Sequence, residues 1–136
     1  MAEVLAHVVN VPTPITNGAA IPIPTTPAGQ GIALVRVPIP ANRPANNVQL
    51  NATVGLQGVV GIPRILFRIF RDGREIYYAL QAVETDFENV SLTSLVAADV
   101  NVPPGVHDYV LSVEIQNAGA QATVIGPIVF TALATA

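Results

Sequence analysis

The chain has no cysteine, no tryptophan and no lysine, and charged residues make up only 11% of it. Without cysteine it has neither disulfides nor thiolate metal centres. Its two histidines, His7 and His107, are far apart in sequence, so a histidine-based metal site would need several carboxylates to complete it. A net charge of −3 without lysine lacks the cationic footprint that phosphate backbones demand, and no nucleic-acid partner is expected. No apolar run reaches the roughly 20 residues that cross a bilayer as a helix, and prolines interrupt those present, so no membrane partner is expected either. Residues 1–11 carry Glu3 where a secretory leader carries Lys or Arg, and Pro12 and Pro14 follow. They read as a mature N-terminus, so an extracellular destination would need another route.

What the chain has in excess is apolar surface. Apolar residues reach 51% and mean hydropathy is +0.51, whereas ordinary soluble domains carry about a quarter charged residues. A surface this poor in charge predicts burial against other protein, and self-association is the first expectation.

At 136 residues the chain fits one domain with a core of its own. No segment has a sustained 3.6-residue apolar period, whereas alternating runs recur between turn signals. Residues 3–11 are rich in valine and read as a strand. Pro12, Pro14, Pro22, Pro24 and Pro27 then exclude a helix, so residues 1–25 are expected to form an extended arm, a potential donor strand, ahead of a single β-sandwich over 26–136. Strands are expected at 31–39, 48–56, 87–96, 107–116 and 121–133, with a bulge or edge break at Gly126-Pro127. In 48–56 the alternation is clean: Val48, Leu50, Ala52, Val54 and Leu56 share one face.

The most informative stretch is 62–84, where two strand-like runs flank Asp72-Gly73, a strong hairpin signal. A two-residue turn sets Arg71 opposite Arg74, Phe70 opposite Glu75, Ile69 opposite Ile76 and Arg68 opposite Tyr77. Ile65, Phe67, Ile69, Ile76, Tyr78 and Leu80 then form a core face. Arg64, Leu66, Arg68, Phe70, Glu75, Tyr77 and Gln81 form the other. Arginine interleaved with aromatics is an interface composition, so a subunit contact through Arg64, Leu66, Arg68, Phe70 and Tyr77 is expected, including a cation–π pair of Arg68 with Tyr77. A solvated face with ordinary cross-strand pairs is the alternative.

Chemistry is sparse. His107-Asp108 is the one adjacent His–acid pair, but neighbours on a strand point to opposite faces, so a surface histidine near a turn is expected and not a dyad. Ser91, Ser94 and Ser112 lack a G-x-S-x-G context. Glu84, Asp86 and Glu88 could attract calcium but lack a known loop spacing, and a solvated acidic patch is expected. Asn51-Ala52-Thr53 and Asn89-Val90-Ser91 match the glycosylation sequon, which matters only in a glycosylating compartment. Neither an enzyme nor a cofactor or metal is expected.

Three ordered patterns, Leu66-Phe67-Arg68-Ile69-Phe70-Arg71-Asp72-Gly73, Val102-Pro103-Pro104-Gly105-Val106-His107-Asp108-Tyr109 and Ala122-Thr123-Val124-Ile125-Gly126-Pro127-Ile128-Val129-Phe130, resemble the exosporium protein C-like family of endospore surface proteins in Bacillus and related firmicutes. The likeness covers roughly residues 30–133. It implies a non-enzymatic component of a spore's outer layer or appendage, localised at the spore surface without a signal peptide. By analogy with other spore-surface proteins, it favours a jelly roll similar to the tumour necrosis factor fold, with an immunoglobulin-like Greek key as the alternative. The expected partner is the chain itself, as a trimer or polymer, with other spore-surface proteins as further candidates. Leu5, Val8, Val9 and Val11 of the arm are expected at the subunit interface through strand donation. The rival functions are a carbohydrate- or calcium-binding β-sandwich using the loops 42–47 and 84–88, and a viral capsid or fibre protein.

Overall fold

The computed structural model describes residues 2–136, and every regular element in it is a strand. In chain order these are β1 (Val4–Thr13), β2 (Ile21–Pro22), β3 (Gln30–Ile39), β4 (Asn47–Val60), β5 (Arg64–Arg71), β6 (Arg74–Ala82), β7 (Val90–Val100), β8 (Gly105–Ile115) and β9 (Gln121–Thr135). They make two antiparallel sheets, ordered β1-β9-β4-β7 and β3-β8-β5-β6, with the short β2 appended to β9.

The connectivity is a set of nested pairs. β5 pairs with β6, β4 with β7, β3 with β8 and β1 with β9, all around Asp72-Gly73. Wrapped into two facing sheets, this long double ribbon is a jelly roll. The immunoglobulin-like alternative, which sets its first two long strands in one sheet, does not hold, because β1 and β3, the first two long strands here, lie in different sheets. Asp72 and Gly73 both adopt positive φ (50° and 86°), as a tight hairpin turn between right-twisted strands demands.

Alternation fills the space between the sheets. Val48, Leu50, Ala52, Val54, Phe130 and Ala132 point inward from one sheet, and Val35, Val37, Ile65, Phe67, Ile69, Tyr109, Leu111 and Val113 from the other, all buried. Where β4 and β9 cross Gly126-Pro127 the register shifts, as expected for a bulge. The two backbones meet so closely there that a Cβ on Gly55 would lie 1.8 Å from the carbonyl oxygen of Gly126. Glycine is required at position 55 by this approach.

Two expectations change. The arm over 1–25 is not set apart from the sandwich: Val4–Thr13 forms the edge strand β1, Ile21 and Pro22 pair with Val124 and Thr123, and Glu3 and Ala136 exchange both backbone hydrogen bonds. Valine-rich alternation gave β1 an apolar side, and the open edge of β9 in its own chain takes it. The hairpin faces also differ. Arg71 faces Arg74 and Phe70 faces Glu75 as expected, but an extra residue at Ile76 then shifts the register, so that Ile69 faces Tyr77, Arg68 faces Tyr78 and Leu66 faces Leu80. One inserted residue moves every later side chain of β6 to the opposite face. Tyr78 and Leu80, expected in the core, are exposed at 69% and 50%, while Tyr77 and Ala79 pack against the core.

Candidate functional site

The nine residues expected at an interface fall on two different sheets. On β1, Leu5 and Val8 turn partly into the core of their own chain, and Val9 and Val11 stay exposed. On β5, Arg64 is exposed, Leu66 is buried at 7%, and Arg68 and Phe70 are half-buried on the outer face. Tyr77 leaves this group because of the bulge, and the Arg68–Tyr77 pair does not form.

Arg68 is engaged otherwise. Its Nε donates to Glu114 Oε1 at 2.6 Å and its Nη1 to Glu75 Oε1 at 2.8 Å. Glu114 is an outward residue of β8, yet its side chain is only 4% exposed. The reason is the segment before β3, which runs back along β8: Thr26 N donates to Ile115 O, Ile115 N to Pro24 O, and Thr26 Oγ1 to Glu114 Oε2. Hydrogen bonding to Glu114 raises the Arg68 guanidinium above its ordinary range, against a smaller opposing effect of burial. Thr26, Pro27, Gly29, Arg68, Phe70, Ser112 and Glu114 line an open cleft of about 370 Å³. Both oxygens of Glu114 are already paired there, so the carboxylate is tied into the fold and not presented as a base.

The hairpin tip forms a second polar cluster. His107 Nδ1 meets Asp72 Oδ2 at 2.6 Å and its Nε2 meets the Pro103 carbonyl at 2.6 Å, with the ring largely covered. It is therefore not the surface histidine expected, and its acid partner is Asp72, not Asp108. Asp72 also accepts from the backbone N of Asp108 at 2.8 Å, and Arg36 Nε donates to Asp108 Oδ1 at 2.7 Å. The His107 hydrogen bond, then that from Asp108 N, holds the Asp72 carboxyl below its ordinary range; the Arg36 hydrogen bond does the same for Asp108. Nearby, Asp99 Oδ2 accepts from Arg71 Nη1 at 2.6 Å and from the Tyr109 hydroxyl at 2.8 Å. Burial first, then the hydrogen bond to Asp99, pushes the Tyr109 phenol far above its ordinary range. These contacts pin turn to turn, and each partner is used within the chain.

Glu84, Asp86 and Glu88 are exposed, and among the described residues no group of three or more His, Asp or Glu side chains is placed to hold a metal ion.

The feature that strand-by-strand reading missed is the outer face of the β1-β9-β4-β7 sheet. Across it, Val9, Thr131, Asn51 and Val96 lie abreast, as do His7, Leu133, Gln49 and Ala98. Beside them come the rows Val4-Thr135-Asn47-Val100 and Val129-Thr53-Ser94. None of these residues carries a carboxylate or a guanidinium. The charged side chains sit on the other sheet, in the loops, or, like Asp99, turned toward the interior. The strand order that brings these four rows together, not any motif, creates the face.

No family model matches the chain, and no curated protein matches it. Among solved structures, the insecticidal delta-endotoxin Cry8Ea1 of Bacillus thuringiensis is similar at 10% identity over 96% of this chain and 24% of the toxin, with a TM-score of 0.48. The VP2 subviral particle of infectious bursal disease virus is similar at 12% identity over 97% of this chain and 40% of that one, with a TM-score of 0.40. The chain thus spans about a quarter of the endotoxin and two fifths of the VP2 chain.

Proposed function

We propose that this protein is a structural subunit that self-assembles, with the uncharged outer face of the β1-β9-β4-β7 sheet as its contact surface. The observation that supports the reading is the segregation of charge: a four-strand face with exposed Val9, Val96 and Val100 and no carboxylate or guanidinium has little to keep it monomeric in water. Asparagine, glutamine and threonine between the valines supply hydrogen bonds that a dry apolar patch would lack, as interfaces between folded subunits require. The polar clusters at the hairpin tip and beneath Thr26 are internally satisfied, which favours scaffold over catalyst. A spore's outer layer or appendage is the setting we assign, on the resemblance of the three sequence patterns to exosporium protein C-like proteins.

The test is sedimentation velocity and negative-stain microscopy of the full chain beside an Asn51→Glu/Thr131→Glu variant, which sets two carboxylates abreast in the middle of the face. Assemblies are expected from the unaltered protein and single chains from the variant, with thermal stability little changed, because both side chains point outward. An unaltered protein that stays monomeric at high micromolar concentration would overturn the reading, and so would a variant that assembles as before.

A further inference from the structure

We infer that two copies of this chain join edge to edge through β7, antiparallel across a two-fold axis. The inference rests on the self-assembly reading and names a contact that reading leaves open.

A sheet edge exposes unpaired N–H and C=O groups, and folded proteins guard such edges with bulges, prolines, charges or covering segments. The jelly roll has four edge strands, β1 and β7 in one sheet, β3 and β6 in the other. Three are guarded. β1 has two register shifts and Pro12. β3 has a shift between Gly31 and Ala33, carries Arg36 and Pro38, and its Leu34 carbonyl accepts from the Asn10 side chain of β1. β6 has the bulge at Ile76 with Arg74 and Glu75 beside it. β7 has none of these. Its 11 residues, VSLTSLVAADV, contain no proline or glycine and pair with β4 in unbroken register from Val100 opposite Asn47 to Val90 opposite Gln57. Its one charged residue, Asp99, is turned back to Arg71 and Tyr109.

The ladder fixes which backbone groups are free. Gly58 N donates to Asn89 O at 2.8 Å, one step beyond the last registered pair, so the directly bonded positions of β7 are the odd ones. Ser91, Thr93, Leu95 and Ala97 therefore bond to β4, whereas Leu92, Ser94, Val96 and Ala98 point their N–H and C=O groups away from the sheet. Antiparallel pairing about Leu95 sets Ser94 against Val96 and Leu92 against Ala98, so each bonded position in the new ladder uses groups free in the single chain. Such a contact is self-complementary, as a two-fold interface must be. It also joins two uncharged outer faces into one continuous face of doubled width.

Amide hydrogen exchange on the assembled full chain tests this residue by residue. Amides of Leu92, Ser94, Val96 and Ala98 are expected to exchange as slowly as those of Ser91, Thr93 and Leu95. A Val96→Pro chain, which loses an N–H with no partner in its own sheet and adds no charge to the face, is expected to weaken pairing on the order of a hundredfold in sedimentation. Free exchange at the even-numbered positions of assembled protein would overturn the β7 contact and leave self-assembly standing. A chain monomeric at all concentrations would overturn both. Protection of β7 together with a newly protected outer edge of β1 would replace the two-fold pair by an open head-to-tail array and so refute it. Because the exchange pattern is read on the unaltered chain, it decides even if the proline variant unfolds.

Discussion

Glu114 is the residue whose role the sequence hid most completely. Alternation along β8 sets it on the outer side, opposite Leu111 and Val113, and an outward glutamate reads as solvated. What covers it is the segment of Thr26, nearly ninety positions earlier by the span of the Thr26–Glu114 hydrogen bond. No local pattern announces that crossing. The consequence for stability is specific: truncating Arg68 leaves a carboxylate in a site it cannot leave. Arg68→Ala is expected to cost about 3 kcal/mol in urea unfolding, while replacing both partners by leucine costs markedly less. A double-mutant cycle checks this, and equal losses from the single and double variants would exclude it.

Titration provides a second residue-scale prediction. Asp72 and Asp108 have depressed folded-state pKa values, so the stability they contribute is present above the ordinary carboxylate value of about 4 and is lost as pH falls below it and through their lower folded values. Tyr109 is shifted the other way, so its contribution is present below about pH 10 and is lost as the unfolded chain ionises above that. Thermal unfolding against pH should show a plateau with two shoulders. Asp72→Asn should flatten the acid shoulder, and Tyr109→Phe the alkaline one.

At the scale of elements, periodicity placed most of the strands, although the one expected at 87–96 begins three residues later and runs to Val100 as β7. The runs at 48–56 and 107–116 are β4 and β8, the first with its inward residues as read, and Gly126-Pro127 does mark a shift in register. The failure was at β6, where a single extra residue inverted the faces. Ile76 is apolar and β-branched, an ordinary strand residue between Glu75 and Tyr77, so nothing in the composition marks it as the bulge that the pairing with β5 contains. The opposite case is Gly55, unremarked in an apolar run but fixed by the backbone of β9. Gly55→Ala is expected to destabilise the protein by more than about 3 kcal/mol, since the clash is with backbone and not with a side chain that can turn away. Circular dichroism melts against Gly119→Ala, a position with open space around it, would show whether packing or backbone freedom is responsible.

For the whole molecule, composition announced that charge was scarce, but only the strand order shows where it is missing. The outer face of β1-β9-β4-β7 draws on segments from both ends and the middle of the chain, so it exists only once all four strands have met. A candidate contact of that kind cannot be read from any window of sequence. The hairpin at 64–82, by contrast, was legible as an element, but the pairing of its Arg68 and Arg71 with acids of the same chain was not.

The nesting of strands around Asp72-Gly73 also sets an order in time. Pairing β5 with β6 closes the shortest possible loop, and each outer pair then closes a longer one, ending with Val4 against Thr135. Loop entropy grows with each step unless the inner pairs have already formed, so the ribbon zips outward from its midpoint, and a topology of such distant pairings folds slowly. β1 is the last strand to seat. During that delay the edge of β9 is open and β1 is free, and at high protein concentration the first β1 to arrive at that edge need not belong to the same chain.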